Sequence, residues 1–262
     1  MLTKNLFISV LSALLFLAFY GTSEAFGLFG PPQTISRQSG GLNTSIGYWY
    51  HEDKFKNGSE YIIRQNEVYS QVSYGGNDCW EIYGRIGVSD LKISDVFRST
   101  TAATIISNND FSENWKFFGT LGAKGFLPMG KILGIGAFIQ GTYYFNNFSA
   151  DTAGTNAGVP FAADLKVHDM WNVHAGIGFQ AAVPYGIKLY AGPYIYYSEA
   201  KVRLSANIPG LELGTENVLI KNTKNYGGMI GANIPLSRGF HLNIEGQYSE
   251  RLSLGAAVSY AY

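Results

Sequence analysis

From Gly41 to the end of the chain, residues alternate between apolar and small or polar types with a period of two. That period is the signature of a strand with two different faces. The closing stretch shows it well: Leu252, Leu254, Ala256, Val258, Tyr260 and Tyr262 share one side, and Ser253, Gly255, Ala257, Ser259 and Ala261 the other. The same reading predicts strands over about 41–50, 67–74, 80–89, 115–127, 132–148, 163–183, 187–202, 223–234 and 240–249, ten in all with the last. Eight remain if the first two lie outside the wall. Twelve result if Leu91–Phe97 and Ala102–Ser107 add a hairpin.

The connections alternate in length. Those at 75–78, 128–131, 184–186 and 235–239 are short and rich in Gly, Pro, Asn and Asp, residues suited to tight turns. The stretches 51–66, 90–114, 149–162 and 203–222 read as long loops. Strands of about ten residues with short turns at one end and long loops at the other match the dimensions of a transmembrane barrel. Most charged residues fall on the face that also carries glycines and small polar groups. Trp and Tyr fall with the apolar residues at the strand ends. A soluble barrel or sandwich places its charges the other way. The pattern therefore predicts an all-β, antiparallel, up-and-down transmembrane β-barrel over 41–262.

The 262 residues include 32 glycines, 18 tyrosines and 17 phenylalanines, with only 15% charged residues and zero formal net charge. This balance gives no footing for nucleic acid. Lys4, an apolar run from Leu6 to Tyr20 and the small residues Ser23 and Ala25 predict a secretory signal over 1–25, cut between Ala25 and Phe26. Residues 26–40, with Pro31-Pro32 and no periodicity, read as an extended lead-in. Cys79 is the chain's one cysteine and has no intramolecular partner to bridge with.

With the strands laid out, the chain resembles the opacity and OmpA-type family of small outer-membrane β-barrels. The resemblance spans most of Gly41–Tyr262 and rests on the strand pattern and the terminal Ser259-Tyr260-Ala261-Tyr262. It implies a place in the outer membrane of a Gram-negative-type bacterium, contact with outer-membrane lipids and no cofactor. It also implies insertion by the barrel-assembly machinery, with Val258, Tyr260 and Tyr262 as the assembly signal. It does not fix one activity, because this architecture hosts adhesins, pores, anchors and a few enzymes.

The face opposite the apolar one carries Glu67, Glu81, Arg85, Lys116, Lys124, His168, His174, Lys188 and Glu245. Burying such charges is costly unless they are paired, so acids and bases are expected to meet across the lumen as a plugging network or to line a narrow polar path. His168 and Asp169, as neighbours in a strand, point to opposite faces unless a bulge intervenes. His168 and His174 share a face but lie about 20 Å apart, too far for one metal. No Asp-x-Asp pair joins them to suggest an omptin-type protease, and no serine stands at lipase-like spacing. Gly134-Ile-Gly136 and Gly119–Lys124 lack the full spacing of phosphate loops and read as strand glycines. The expected role is structural or surface-interacting, with the long loops meeting an extracellular ligand. A narrow porin-like channel for small polar solutes is the alternative, and a rim hydrolase a weaker third; no enzyme is expected.

Overall fold

The computed structural model describes residues 28–33 and 41–262, apart from breaks at 58, 77–78, 95, 97–103, 107–109, 157 and 209–210. The predicted signal over 1–25 and its cut at Ala25–Phe26 lie outside the described residues. Among the described residues there are thirteen strands, and ten of them close a ring. In ring order these are β1 (Gly41–Asn57), β2 (Ser59–Gly76), β3 (Trp80–Ile93), β5 (Phe111–Met129), β6 (Leu133–Tyr144), β8 (Val159–Ala182), β9 (Lys188–Ile208), β11 (Tyr226–Pro235), β12 (Phe240–Tyr248) and β13 (Leu252–Ala261). Every neighbour is antiparallel, and β13 returns to β1 through pairs running from Asn43–Ala261 to Tyr50–Leu254. The expected ten-stranded wall is the one observed. The remaining strands, β4 (Thr104–Ile106), β7 (Phe148–Asn156) and β10 (Leu211–Asn222), pair only with strand ends on the side of the long connections.

Among the described residues no pairing joins 91–97 to 102–107, since β4 pairs with β7 and β3 with β5. The regions expected as long loops are also largely strand. β1 and β2 stay in register out to Asn57–Ser59, so 51–66 is a hairpin arm. β7 and the start of β8 occupy 149–162, and β9 and β10 pair across 203–222. The wall thus continues past the membrane as a shorter, partly open sheet. Turns at the other end are tight and use left-handed backbone at Gly130, Tyr185, Gly186, Arg238 and Gly239.

Within the membrane span, the outer face is apolar and bare: Leu121 is 77% exposed, Ile46 67% and Ile86 63%. Water would not tolerate that girdle, and lipid does. Above the span the surroundings become aqueous and the polarity inverts. In β8 a bulge between His168 and Trp171, with Asp169 at φ 53°, moves the apolar residues to the other side. Trp171 and Val173 face out below the bulge, while Leu165 and Val167 are buried inside above it. An unbroken alternation over 163–183 predicts Leu165, Val167 and Trp171 on one face and Lys166, His168 and His174 on the other; the bulge parts each set. A second irregularity sets Ser89–Leu91 of β3 against Lys116–Glu113 of β5. The extra residue is in β5 and turns Phe111 inward, while Leu91 and Ile93 stay on the inward face of Arg85 and Ser89.

The glycines explain how ten strands enclose so many rings. Inward aromatics lie flat over glycines of neighbouring strands: Tyr69 over Gly47, Tyr83 over Gly122, Tyr190 over Gly231 and Trp49 over Gly255, where an added Cβ would fall 2.0–2.4 Å from the ring. The aromatic supplies the packing that the glycine lacks.

Candidate functional site: a lumen sealed at two levels

The half of the lumen next to the tight turns is polar. Glu81 and Lys124 face each other in register on β3 and β5, with Nζ 3.8 Å from Oε1, and both are buried. Arg85, also on β3, donates to Gln71 Oε1 at 2.6 Å and lies over the rings of Tyr69 and Tyr83, 4.9 Å from each centroid. Glu245 on β12 accepts from Tyr190 Oη at 2.8 Å and from Gln247. Higher up, Glu67 accepts from Tyr144 Oη at 2.6 Å. Each inward position follows from period-two alternation in its strand.

Into this half rises the segment Leu28–Gln33, from Gln33 nearest the turns to Leu28 at mid-lumen. The sequence reading treated 26–40 as a lead-in; the described part of it is instead inside the barrel. Backbone N–H groups of Phe29 and Gly30 donate to the two oxygens of Glu245 at 2.9 and 2.8 Å. Arg85 donates to the Leu28 carbonyl. The Gln33 N–H donates to Gln180 Oε1 at 3.2 Å, and Gln180 Nε2 donates back to Gln33 Oε1 at 3.0 Å. The Phe29 ring is fully buried against Phe138 and Tyr194, with centroids 4.1 and 5.3 Å away. Beside the segment lies a cavity of about 20 Å³ lined by Asn43, Glu81, Arg85 and Lys124 among others. That is room for one water, not for a solute.

The second seal is apolar. Phe55, Ile63, Leu91, Ile93, Phe111, Phe148, Leu165, Val167, Met170 and Ile220 pack into one buried cluster across the upper lumen, and Leu28 touches it from below. Phe111, Leu165 and Val167 are turned inward beyond the bulges in β5 and β8, while Phe55, Ile63, Leu91 and Ile93 continue the inward alternation of their strands. His51, Asp53 and His174 are buried beneath and beside them.

No family model matches the sequence, and no curated protein matches it. Solved structures do. The outer membrane protease OmpT from Escherichia coli aligns over 87% of this chain and 100% of its own, at 12% identity and a TM-score of 0.52. The translocator domain of the autotransporter NalP from Neisseria meningitidis aligns over 85% and 88%, at 12% identity and a TM-score of 0.44. Ail, the attachment invasion locus protein of Yersinia pestis, aligns over 86% and 99%, at 10% identity and a TM-score of 0.30. The first likeness, together with the closed ring and the bare apolar girdle, fixes the fold. The chain is an outer-membrane β-barrel. The opacity/OmpA-type assignment is finer than this likeness reaches.

Of the residues expected to line the lumen, Glu67, Glu81, Arg85, Lys124, His174 and Glu245 are buried within it. Lys116 and Lys188 are not. Lys116 pairs with Glu113 at 3.7 Å across the bulge in β5, where its ammonium reaches solvent. Lys188 is half-buried at the first position of β9, at the mouth of the barrel. Among these residues acid meets base at Glu81–Lys124. Glu67 is held by Tyr144, Arg85 by Gln71 and the Leu28 carbonyl, and Glu245 by Tyr190, Gln247 and the backbone of Phe29 and Gly30. The closing strand β13 presents Val258 and Tyr260 to the lipid side, with Tyr260 edge-on to Tyr262 at 4.8 Å. Cys79 is exposed in the tight turn after β2.

The bulge in β8 is the condition under which His168 and Asp169, as strand neighbours, can meet. His168 Nδ1 lies 3.2 Å from Asp169 Oδ2, and the same oxygen accepts from Lys201 Nζ at 2.8 Å. The Lys201 hydrogen bond, then His168, hold the Asp169 carboxyl below its usual range. The other ring nitrogen, Nε2, has no hydrogen-bond partner, so no hydroxyl nucleophile is engaged. Nearby, Asp151 and Asp164 sit directly opposite on β7 and β8. Burial, then a shared hydrogen bond with Asp151, pushes the Asp164 carboxyl up. A raised carboxyl pKa in the folded state means that stability is lost as pH rises through it. Asp164→Asn is therefore expected to slow proteolysis of the β7–β8 arm at pH 7 and to change nothing at pH 3. Equal rates at pH 7 would show that the pair carries no strain.

Proposed function

We propose that this barrel is a closed membrane anchor that holds a strand-built extension above the membrane as a contact surface, and that it conducts nothing. The observation that carries this reading is the double seal: Leu28–Gln33 fills the polar half of the lumen, and the Phe55–Phe111–Phe148 cluster fills the upper half. A small-solute channel needs a continuous polar path, and neither level offers one. The extension carries exposed Lys166, Lys201, Arg203 and Lys221 on its outer side, interleaved with Asp164, Asp169 and Glu199. Mixed charge on a stiff sheet suits recognition of a partner at the cell surface.

A non-enzymatic role accords with the rim geometry, in which Asp169 is bound to Lys201 and His168 stands beside no nucleophile. Insertion by the barrel-assembly machinery accords with the apolar, aromatic-ended β13, and the same strand supports kinship with the opacity/OmpA-type barrels. Planar-bilayer recording of the purified protein tests the main reading. We expect no conductance steps above background; steady, reproducible steps would establish the channel in its place.

A further inference from the structure

We propose that the lower lumen is a peptide-binding site open to the periplasm, and that Leu28–Gln33 is its separable occupant, not part of the barrel's own core. The segment contributes no strand to the ring. Each wall strand already has an antiparallel neighbour on both sides, so the wall's hydrogen bonding is complete without the segment. Its contacts are instead those of a bound ligand. Two consecutive backbone N–H groups grip one carboxylate, and a backbone carbonyl meets a guanidinium. Gln33 donates its backbone N–H to Gln180 Oε1 while its side-chain oxygen accepts from Gln180 Nε2.

Shape adds selectivity. Phe29 fills a slot between Phe138 and Tyr194. Pro32 rests where two wall glycines leave space: a Cβ on Gly178 would fall 2.7 Å from its Cγ, and one on Gly136 would fall 2.6 Å from its Cβ. The site therefore takes an extended peptide with an aromatic residue followed by Gly-Pro-Pro. Above it the apolar cluster stays closed, so withdrawal of the segment leaves a blind cup and not a pore. Glu245 keeps Tyr190 and Gln247 as donors when the cup is empty, and Glu81 keeps Lys124.

The test uses the chain from Phe26 onward with a protease recognition sequence built into 34–40, refolded and then cut. The probe is a fluorescent peptide of the sequence Phe-Gly-Leu-Phe-Gly-Pro-Pro-Gln, matching 26–33. We expect the cut fragment to leave on dilution, the barrel to keep its heat-modifiable mobility, and the probe to rebind at one saturable site. A scrambled peptide should not bind. Glu245→Gln in the cut barrel should weaken the probe by about tenfold, the loss expected of a charged hydrogen bond made neutral. Gly178→Val, which fills the seat of Pro32 without touching the charges, should weaken it as well and serves if Glu245→Gln does not refold. Collapse of the barrel when the fragment leaves, failure of the fragment to exchange, or equal binding of the scrambled peptide would each overturn the proposal.

Discussion

Glu245→Ala is expected to lower the unfolding free energy of the barrel by about 3 kcal/mol, the range found when one partner of a buried ionic group is removed. The carboxylate accepts hydrogen bonds from the Phe29 and Gly30 backbone, from Tyr190 Oη and from Gln247. Truncation leaves all four donors in a region where the neighbouring cavity holds room for about one water. It also removes a negative charge from a compartment that contains Arg85 and Lys124. Denaturant unfolding in lipid vesicles reads the stability, and limited proteolysis at 26–33 reads the segment. Both should change, and Glu245→Gln should fall between Ala and the parent chain. An unaltered midpoint for Glu245→Ala would show that the four donors find other partners, and would weaken the view that this residue organises the lower lumen.

Where the surroundings are uniform, alternation alone located the wall. Trp80, Ile82 and Ile86 lie outside and Glu81, Tyr83, Arg85 and Ser89 inside, as their spacing implies. The pattern failed above the membrane, and for a physical reason. There the solvent outside the wall changes from lipid to water, so the same alternation has the opposite meaning. The bulges at His168–Trp171 in β8 and Glu113–Lys116 in β5 carry out the change of face there, and one extra residue in a strand leaves little trace in composition. In β1, β2 and β3 the alternation runs on and the inward residues turn from polar to apolar. The stretch 149–162, rich in Ala, Thr and Gly, and the more apolar 203–222, broken by Pro209-Gly210, read as loops, yet cross-strand pairing holds them as β7, β9 and β10.

The lumen segment was harder still. Pro31-Pro32 and Gly30 carry no period, and the contacts of Phe29 lie more than a hundred residues away in sequence. One signal was available: Leu28 and Phe29 are apolar in a stretch read as an extended lead-in, while Gly136 and Gly178 open gaps on the inward face of two strands. Bulk without a home and space without a filler belong together, but nothing local in the chain says that they meet.

Gly192→Ala should have the largest effect of any single methyl group added to the wall. A Cβ there would lie 1.9 Å from the carbonyl oxygen of Ile177 and 2.9 Å from its carbon, both backbone atoms of the neighbouring strand. A flexible side chain could rotate away; a strand held on both sides cannot. The site is already the weak point of the β8–β9 ladder. Pro193 has no N–H to donate, and pairing passes from Gly176–Tyr194 to Phe179–Ala191 without a partner pair between them. Relief would require β8 and β9 to separate, which opens the ring. The expected result is failure to reach the heat-modifiable folded form, a loss beyond the usual 0.5–3 kcal/mol of a point substitution. Gly84→Ala is the matched control. Its new Cβ would meet only Leu121 Cδ2, at 3.6 Å, and the Thr120 carbonyl oxygen at 4.0 Å, ordinary contacts both. That variant should fold with stability changed by about 0.5 kcal/mol or less. If both fold equally well, the approach of the two strands at Gly192 is looser than these distances state, and the closure of the ring does not depend on it.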